Sequence, residues 1–595
     1  MKDSTTTLSR LFLDMCRDHP KPDLLLVKVE GSYTPISTAE FAKRVRELSL
    51  GLRELGLRPG DKVVILSENR PEWTMTDLAI LCAGGITVPI YTSLLPEQIK
   101  YIINDSDARI VVCSNRDLWL KVEAVRRDLS AVRHFIMIDE EQPAGLLTLG
   151  EVRGKGKRAG EVEPGLFERA ALAVQPSDPA SIIYTSGTTG SPKGAMLSHD
   201  NFISDIRAIR QVVPFLATDT ALSFLPLSHV YERTATFLFL TSGATIAYAE
   251  SIEAVSENMV EIQPTVMISV PRLFEKIYAR IMDAILKSPA PKKAIFFWAL
   301  AVGRKYAAAR IAKTPAPLFL KLKNGLARKL VFSKIQARTG GRIRFFVCGG
   351  APLATDIAEF FYAMGIVIIP GYGLTETSPV VSGNTLDDYR FGTTGRPVPG
   401  VEVRIAPDGE ILVRGPIVMM GYYKREAETR EAMAGGWFHT GDIGYLDDDG
   451  FLIITDRKKD LIVTAGGKNV APQPIESILS LNPYIAAAVV VGERRRFISA
   501  LIVPDFERLE DYARANDIPF RDRADLCRRQ DILDFMLAEV NRSTPDLASY
   551  ERIKKIALLD RDFDIASGDM TPTLKVRRAS VEEKYRDLID SLYAD

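Results

Sequence analysis

The chain of 595 residues is poor in the groups that build disulfide frameworks and structural metal sites. Its five cysteines, Cys16, Cys82, Cys113, Cys348 and Cys527, lie far apart, with no CxxC pair and no His/Cys cluster. That spacing argues against a disulfide scaffold or a zinc site. The thiols are expected to be reduced, in a cytoplasmic protein. Net charge is also lacking, since 76 Lys and Arg balance 76 Asp and Glu. Such a balance argues against a general nucleic-acid binder. Long apolar runs are missing too. The first residues, MKDSTTTLSRLFLDMCRD, carry no apolar core of signal-peptide type. The longest apolar run near basic residues, 294–303, has ten residues, against the ~20 that a spanning helix needs. No transmembrane helix is predicted. There is no fixed-period repeat and no low-complexity segment.

What is present suits a large globular protein of more than one domain, with 46% hydrophobic residues. Residues 40–57 have helical spacing and end near Gly56 and Pro59. Residues 62–66 and 109–113 read as short buried strands. Alternation of this kind predicts an α/β fold with parallel strands. A charged run at 456–460 precedes strand patterns at 487–491 and 499–503 and then helices. The last part of the chain therefore reads as a smaller α+β domain with that run as its linker.

One segment departs from the overall neutrality. Residues 281–340 hold thirteen Lys or Arg and a single acid, Asp283, a net +12. Phe296, Phe297, Trp298, Leu318, Phe319 and Leu320 interleave with the basic residues. Two readings stand: solvated helices with a charged outer face, or a patch that contacts an anionic membrane surface.

The strongest local signal is Tyr-Thr-Ser-Gly-Thr-Thr-Gly-Ser-Pro-Lys-Gly at 184–194, after a predicted strand at 180–183. Gly187, Gly190 and Gly194 let a backbone approach phosphate closely, and successive amides can form an anion-binding nest. Thr185, Ser186, Thr188 and Thr189 add hydroxyls, and Lys193 adds positive charge. A Walker A loop is excluded, because Pro192 precedes Lys193 and Gly194 follows it.

The whole string resembles the phosphate loop of the adenylate-forming enzymes, which include acyl-CoA synthetases, luciferases and peptide-synthetase adenylation domains. Further motifs of that superfamily follow in order. Cys-Gly-Gly-Ala-Pro at 348–352, with Gly350 and Ala351, resembles its adenine-contact stretch. Gly-Tyr-Gly-Leu-Thr-Glu-Thr-Ser at 371–378, with Tyr372, Thr375 and Glu376, resembles the motif holding adenine, phosphate and magnesium. Trp-Phe-His-Thr-Gly-Asp-Ile-Gly at 437–444 resembles the motif with the ribose-binding acid, Asp442. Asp-Arg-Lys-Lys at 456–459 is similar to the hinge, and Thr-Pro-Thr-Leu-Lys at 571–575 to the motif of the C-terminal catalytic lysine. The long-chain fatty acid–CoA ligases match best, through 436–444, Gly450, 455–461 and Leu-Pro-Leu-Ser-His-Val-Tyr-Glu-Arg at 225–233. One departure is Gln473, where an acid is common; Glu476 supplies the later acid.

The resemblance implies a large multi-subdomain N-terminal domain with layered sheets and helices over 1–455. It also implies a hinge at 456–460 and a small mobile C-terminal domain over 461–595. The implied activity joins a fatty acid to AMP from ATP, releases pyrophosphate, and passes the acyl group to coenzyme A. Alternatives are transfer to a carrier-protein thiol, or another carboxylic acid as substrate. A carboxylate is a poor electrophile at neutral pH, and its adenylate has a good leaving group. Two anions must meet in the first step, so preorganised cations and N–H donors are needed.

The implied roles are specific. Glu376 and Thr185 are the expected Mg²⁺ ligands. Asp442 and Arg457 hold the ribose, and Tyr372 lies beside adenine. Lys575 bridges carboxylate and α-phosphate. The C-terminal domain then turns about Lys459 and brings Gly466 to the pantetheine. His229 is expected between acyl pocket and nucleotide. Val230, Tyr231, Gly373 and the segment near Val380 are acyl-pocket candidates. Acyl chain length and oligomeric state stay open.

Overall fold

The computed structural model describes residues 6–140, 143, 145–185, 192–545, 547–564, 567–571 and 576–594. Among these, two large sheets form most of the N-terminal part. One is eight-stranded. Its centre is the parallel set Ile86–Ile90, Lys62–Leu66, Ile110–Cys113 and His134–Met137. Val63, Val64, Ile65 and Leu66 are all fully buried, as expected of a parallel strand covered on both faces. The strand predicted at 62–66 is found there, and that at 109–113 is one residue shorter. The predicted helix is shifted to Thr38–Glu54. Its start is set by Ser37, whose side chain accepts from the Glu40 N–H. At its far end Gly56 has φ +88°, which stops the helix short of 57.

The second sheet is nine-stranded. Val266–Ser269, Phe345–Cys348 and Ile368–Gly373 run parallel within it, so their carboxyl ends Ser269, Cys348 and Gly373 share one edge. Ligands in open α/β sheets bind at that edge. A four-stranded antiparallel sheet follows, ordered Glu402–Ile405, Glu410–Arg414, Phe438–Leu446, Leu452–Arg457.

The C-terminal part has its own core. It is built on Ile485–Val491, Ser499–Pro504 and Lys555–Leu558, and its buried side chains come from residues 462–592. The two parts meet through the Arg508–Asp283 ion pair at 3.2 Å. Gln473 begins the helix Pro472–Leu479, and its N–H lies 3.5 Å from an Asp456 carboxylate oxygen. Glu476 accepts from the Val490 N–H at 2.7 Å and pairs with Arg578 at 2.5 Å, so this acid holds the small domain together. Among the described residues all five cysteines are free, and no helix is long and apolar enough to cross a membrane.

Candidate active site

The strands flanking the phosphate-loop string form an antiparallel pair, Pro179–Thr185 with Lys193–Ser198, in which Thr185 stands opposite Lys193. Ser186, Gly187, Thr188, Thr189 and Gly190 lie outside the described residues, as does Lys575. Gly194 is required by packing: a Cβ there would come within 2.6 Å of the Ile182 side chain and 3.1 Å of the Tyr184 ring.

The 371–378 motif leaves the nine-stranded sheet at Gly373. No side chain fits at that glycine, because a Cβ would lie 1.8 Å from the Pro379 carbonyl oxygen. Thr375–Thr377 forms a short turn, fixed by the Leu374 N–H donating to Thr377 Oγ1 at 3.0 Å. Glu376 sits in this turn. Burial pushes its carboxyl above the ordinary glutamate value, while Tyr422 and Arg457 oppose that shift.

Tyr422 was not singled out in the sequence, yet it links two expected groups. Its OH donates to Glu376 Oε1 at 3.0 Å, and Lys193 Nζ lies 5.3 Å from its ring centroid. The Gly421–Tyr422 strand pairs with Ala195 and Met196, and the Met419 N–H donates to the Glu376 carbonyl at 2.8 Å. A strap thus ties the Glu376 turn to the Lys193 strand. The local sequence, Gly-Tyr-Tyr, carries no signal of this.

Asp442 and Arg457 come together through strand register, since they are opposed residues of Phe438–Leu446 and Leu452–Arg457. Arg457 Nε lies 3.1 Å from Asp442 Oδ1, and the Tyr372 OH donates to Asp442 Oδ2 at 2.6 Å. Asp442 is buried and Arg457 half exposed. Three separate motifs therefore meet in one constellation. Gly350 and Ala351 lie exposed just past Phe345–Cys348, with Gly350 at φ +84°.

His229 has a structural bond of its own. Its Nδ1 accepts from the Tyr231 N–H at 3.1 Å and caps the helix Val230–Ser242. With Nδ1 accepting, a neutral ring carries its proton on Nε2. The His229 and Tyr91 rings are 6.5 Å apart. Of the acyl-pocket candidates, Val230 is buried and Tyr231 partly buried, and the Tyr231 ring approaches Gly349, where a Cβ would meet it at 3.2 Å. Val380 is opposed to Gly373 in the adjoining strand. Lys459 and Gly466 are exposed, and a Cβ at Gly466 would meet nothing within 4 Å, so packing here does not demand glycine. Among the described residues no group of three or more His, Cys, Asp or Glu is placed to hold a metal. A single carboxylate still suits Mg²⁺, which fills its shell with phosphate oxygens and water.

The fold is that of the adenylate-forming enzymes, and the chain belongs to the AMP-binding enzyme family. The family's main domain matches residues 16–423, and its C-terminal domain matches 459–595. Long-chain-fatty-acid–CoA ligase FadD15 of Mycobacterium tuberculosis is 37% identical, over 97% of this chain and 95% of that protein. The peroxisomal long chain acyl-CoA synthetase 7 of Arabidopsis thaliana is 31% identical, over 95% and 82%. Among solved structures, the adenylation domain of a Mycobacterium chelonae carboxylate reductase shares the fold at TM-score 0.74 and 22% identity, covering 100% of this chain and 93% of that one.

Proposed function

We propose that this protein is an ATP-dependent, AMP-forming ligase that converts a long-chain fatty acid to its coenzyme A thioester. The observation that carries the reading is the convergence of Tyr372, Asp442 and Arg457 beside the Lys193–Tyr422–Glu376 chain. Near full-length similarity to proteins named long-chain-fatty-acid–CoA ligases supports the choice of acid and acceptor.

In the first step a carboxylate oxygen of the fatty acid bonds to the α-phosphorus of ATP, and the bond to the pyrophosphate oxygen breaks. In the second, the coenzyme A sulfur bonds to the acyl carbon and AMP leaves; the thiol proton passes to solvent. Asp442 accepts hydrogen bonds from the ribose hydroxyls, with Arg457 beside it. Tyr372, Gly350 and Ala351 face adenine. Thr375 and residues 185–190 take the phosphates, with Lys193 as the fixed cation. Lys575 holds the fatty carboxylate against the α-phosphate and leaves when the small domain turns at 456–460 about Lys459. Gly466 then lines the thiol path, and His229 stands between acyl pocket and nucleotide. Mg²⁺, held by Glu376 and Thr185, would supply positive charge to the phosphates. The basic segment 281–340 gives the protein a peripheral contact with an anionic membrane, close to the source of its substrate.

The test is release of pyrophosphate across a panel of carboxylic acids, with and without coenzyme A. Highest turnover with long-chain acids, and an acyl-CoA product only when coenzyme A is present, is expected. Adenylate formation without any thioester product, or preference for a short or aromatic acid, would overturn the assignment.

A further inference from the structure

The helix Leu318–Ala327 and the turns that continue it, Arg328–Phe332 and Ser333–Ala337, are apolar on two sides. The fold uses one side. Ala327 and Phe332 are buried, and Leu320, Val331 and Ile335 pack against the same core. The other side is open. Leu318 is 74% exposed, Phe319 67% and Leu322 65%, and Leu326 and Leu330 continue the row at 49% and 43%. Positions 318, 322, 326 and 330 recur every fourth residue, so they form one stripe along the helix. Scattered exposed leucines are ordinary, but a continuous stripe marks a contact surface.

The charge around the stripe says what it contacts. Residues 284–355 contain no Asp or Glu. Lys321 and Arg328 are exposed along one edge of the stripe. On the other edge Lys323 lies 4.2 Å from the Phe319 ring centroid. Among the described residues, Lys321, Lys323, Arg328, Lys329 and Lys334 form no ion pair with an acid. A second copy docked face to face would set cations against cations, which opposes pairing. An anionic lipid surface satisfies both features, because apolar side chains enter the headgroup–acyl boundary while Lys and Arg meet the phosphates.

We propose that the Leu318–Leu330 stripe is the face by which this protein seats on an anionic bilayer. The proposal rests on the membrane contact stated under Proposed function and narrows it from sixty residues to one helix face. The seat has a packed path to the nucleotide-type site. Helix Ala290–Ile311 packs against both Leu318–Ala327 and Thr355–Ala363. Gly303 permits the second contact, since a Cβ there would be 2.3 Å from the Ala363 carbonyl oxygen. Thr355–Ala363 follows directly on the 348–352 motif.

The experiment is flotation of the full-length protein with mixed phosphatidylcholine–phosphatidylglycerol vesicles at low salt, without substrates. Binding is expected to be reversed by salt and to fall about tenfold in the Leu322→Glu/Leu326→Glu double variant. Val162→Glu, at a position 85% exposed but far outside this segment, is expected to bind like the parent protein. Unchanged melting and unchanged pyrophosphate release with a water-soluble acid establish that the double variant is folded. Undiminished vesicle binding by that variant would overturn the stripe and leave the membrane contact standing. Absence of binding by the parent protein would overturn both. Parent protein that fails to float but sediments as a dimer, which the double variant abolishes, would assign the stripe to self-association instead. None of these results bears on the ligase reading, which the acid panel tests separately.

Discussion

Replacing Arg233 with Met should unfold the N-terminal part far more readily than its chemistry alone would imply. Arg233 and Asp77 are each 1% exposed. The guanidinium donates twice to this carboxylate, at 2.8 and 2.6 Å, and once to Ser181 Oγ at 2.6 Å. Asp77 also accepts from Thr87 Oγ1 at 2.7 Å. Four elements are joined in this way: helices Pro71–Cys82 and Val230–Ser242, and strands Ile86–Ile90 and Pro179–Thr185. Met fills much of the volume but strands the Asp77 carboxylate without a cation. Breaking a buried pair from one side costs about 3–5 kcal/mol. Adding Asp77→Leu removes the stranded charge and should return most of that loss, because a buried pair replaced by apolar groups is often close to neutral. The assay is urea unfolding followed by tryptophan fluorescence. Trp73 is buried with its ring centroid 5.9 Å from the guanidinium, and a Trp73→Phe background isolates its signal. A loss below about 1 kcal/mol in Arg233→Met, or a double variant no more stable than the single one, would refute the reasoning.

Glu232 is fully buried, and burial pushes its carboxyl up to about 8. A carboxyl held neutral in the fold stabilises most fully below its unfolded value near 4.5, and that contribution is lost as pH rises through about 8. Glu232→Gln should therefore gain stability relative to the parent as pH increases from acid to alkaline, read as a difference in urea midpoints; parallel pH profiles for the two proteins would contradict this. Lys575→Ala should abolish adenylate formation yet still convert synthetic acyl-AMP and coenzyme A to acyl-CoA. Gly466→Leu should do the reverse, retaining pyrophosphate exchange and losing thioester formation; equal loss of both steps in both folded variants would place the two residues in one static site.

What could be read from the sequence was whatever is local. The strand at 62–66 is a run of buried β-branched and leucine side chains, and that composition alone defines it. The Asp442 and Arg457 motifs lie only fifteen positions apart on neighbouring antiparallel strands, so short-range order nearly delivers their contact. Tyr422 was not legible, because its partner Glu376 is 46 positions away and reaches it only through the 416–422 strap. The capping role of His229 was equally hidden: a histidine before a helix gives no sign of which nitrogen will accept the Tyr231 N–H. The basic segment was visible as composition, but composition cannot say which side of a helix the core takes. That division depends on Ala327 and Phe332 meeting helix and sheet residues contributed by other parts of the chain.

The charged groups of the site come from three different sheets. Lys193 belongs to the eight-stranded sheet, Glu376 follows a strand of the nine-stranded one, and Asp442 and Arg457 belong to the four-stranded one. Each sheet delivers its groups through register, and a slip of one residue turns every side chain to the opposite face. Asp442 would then point away from Tyr372, and Lys193 would lose its place opposite Thr185. The glycines protect that register in a direct way. At Gly373 and Gly194 a Cβ would collide with the neighbouring segment, so the observed close approach of the strands requires glycine at both positions. Glycine at these two positions is therefore a packing requirement of the strand pairs that carry Lys193 and lead to Glu376.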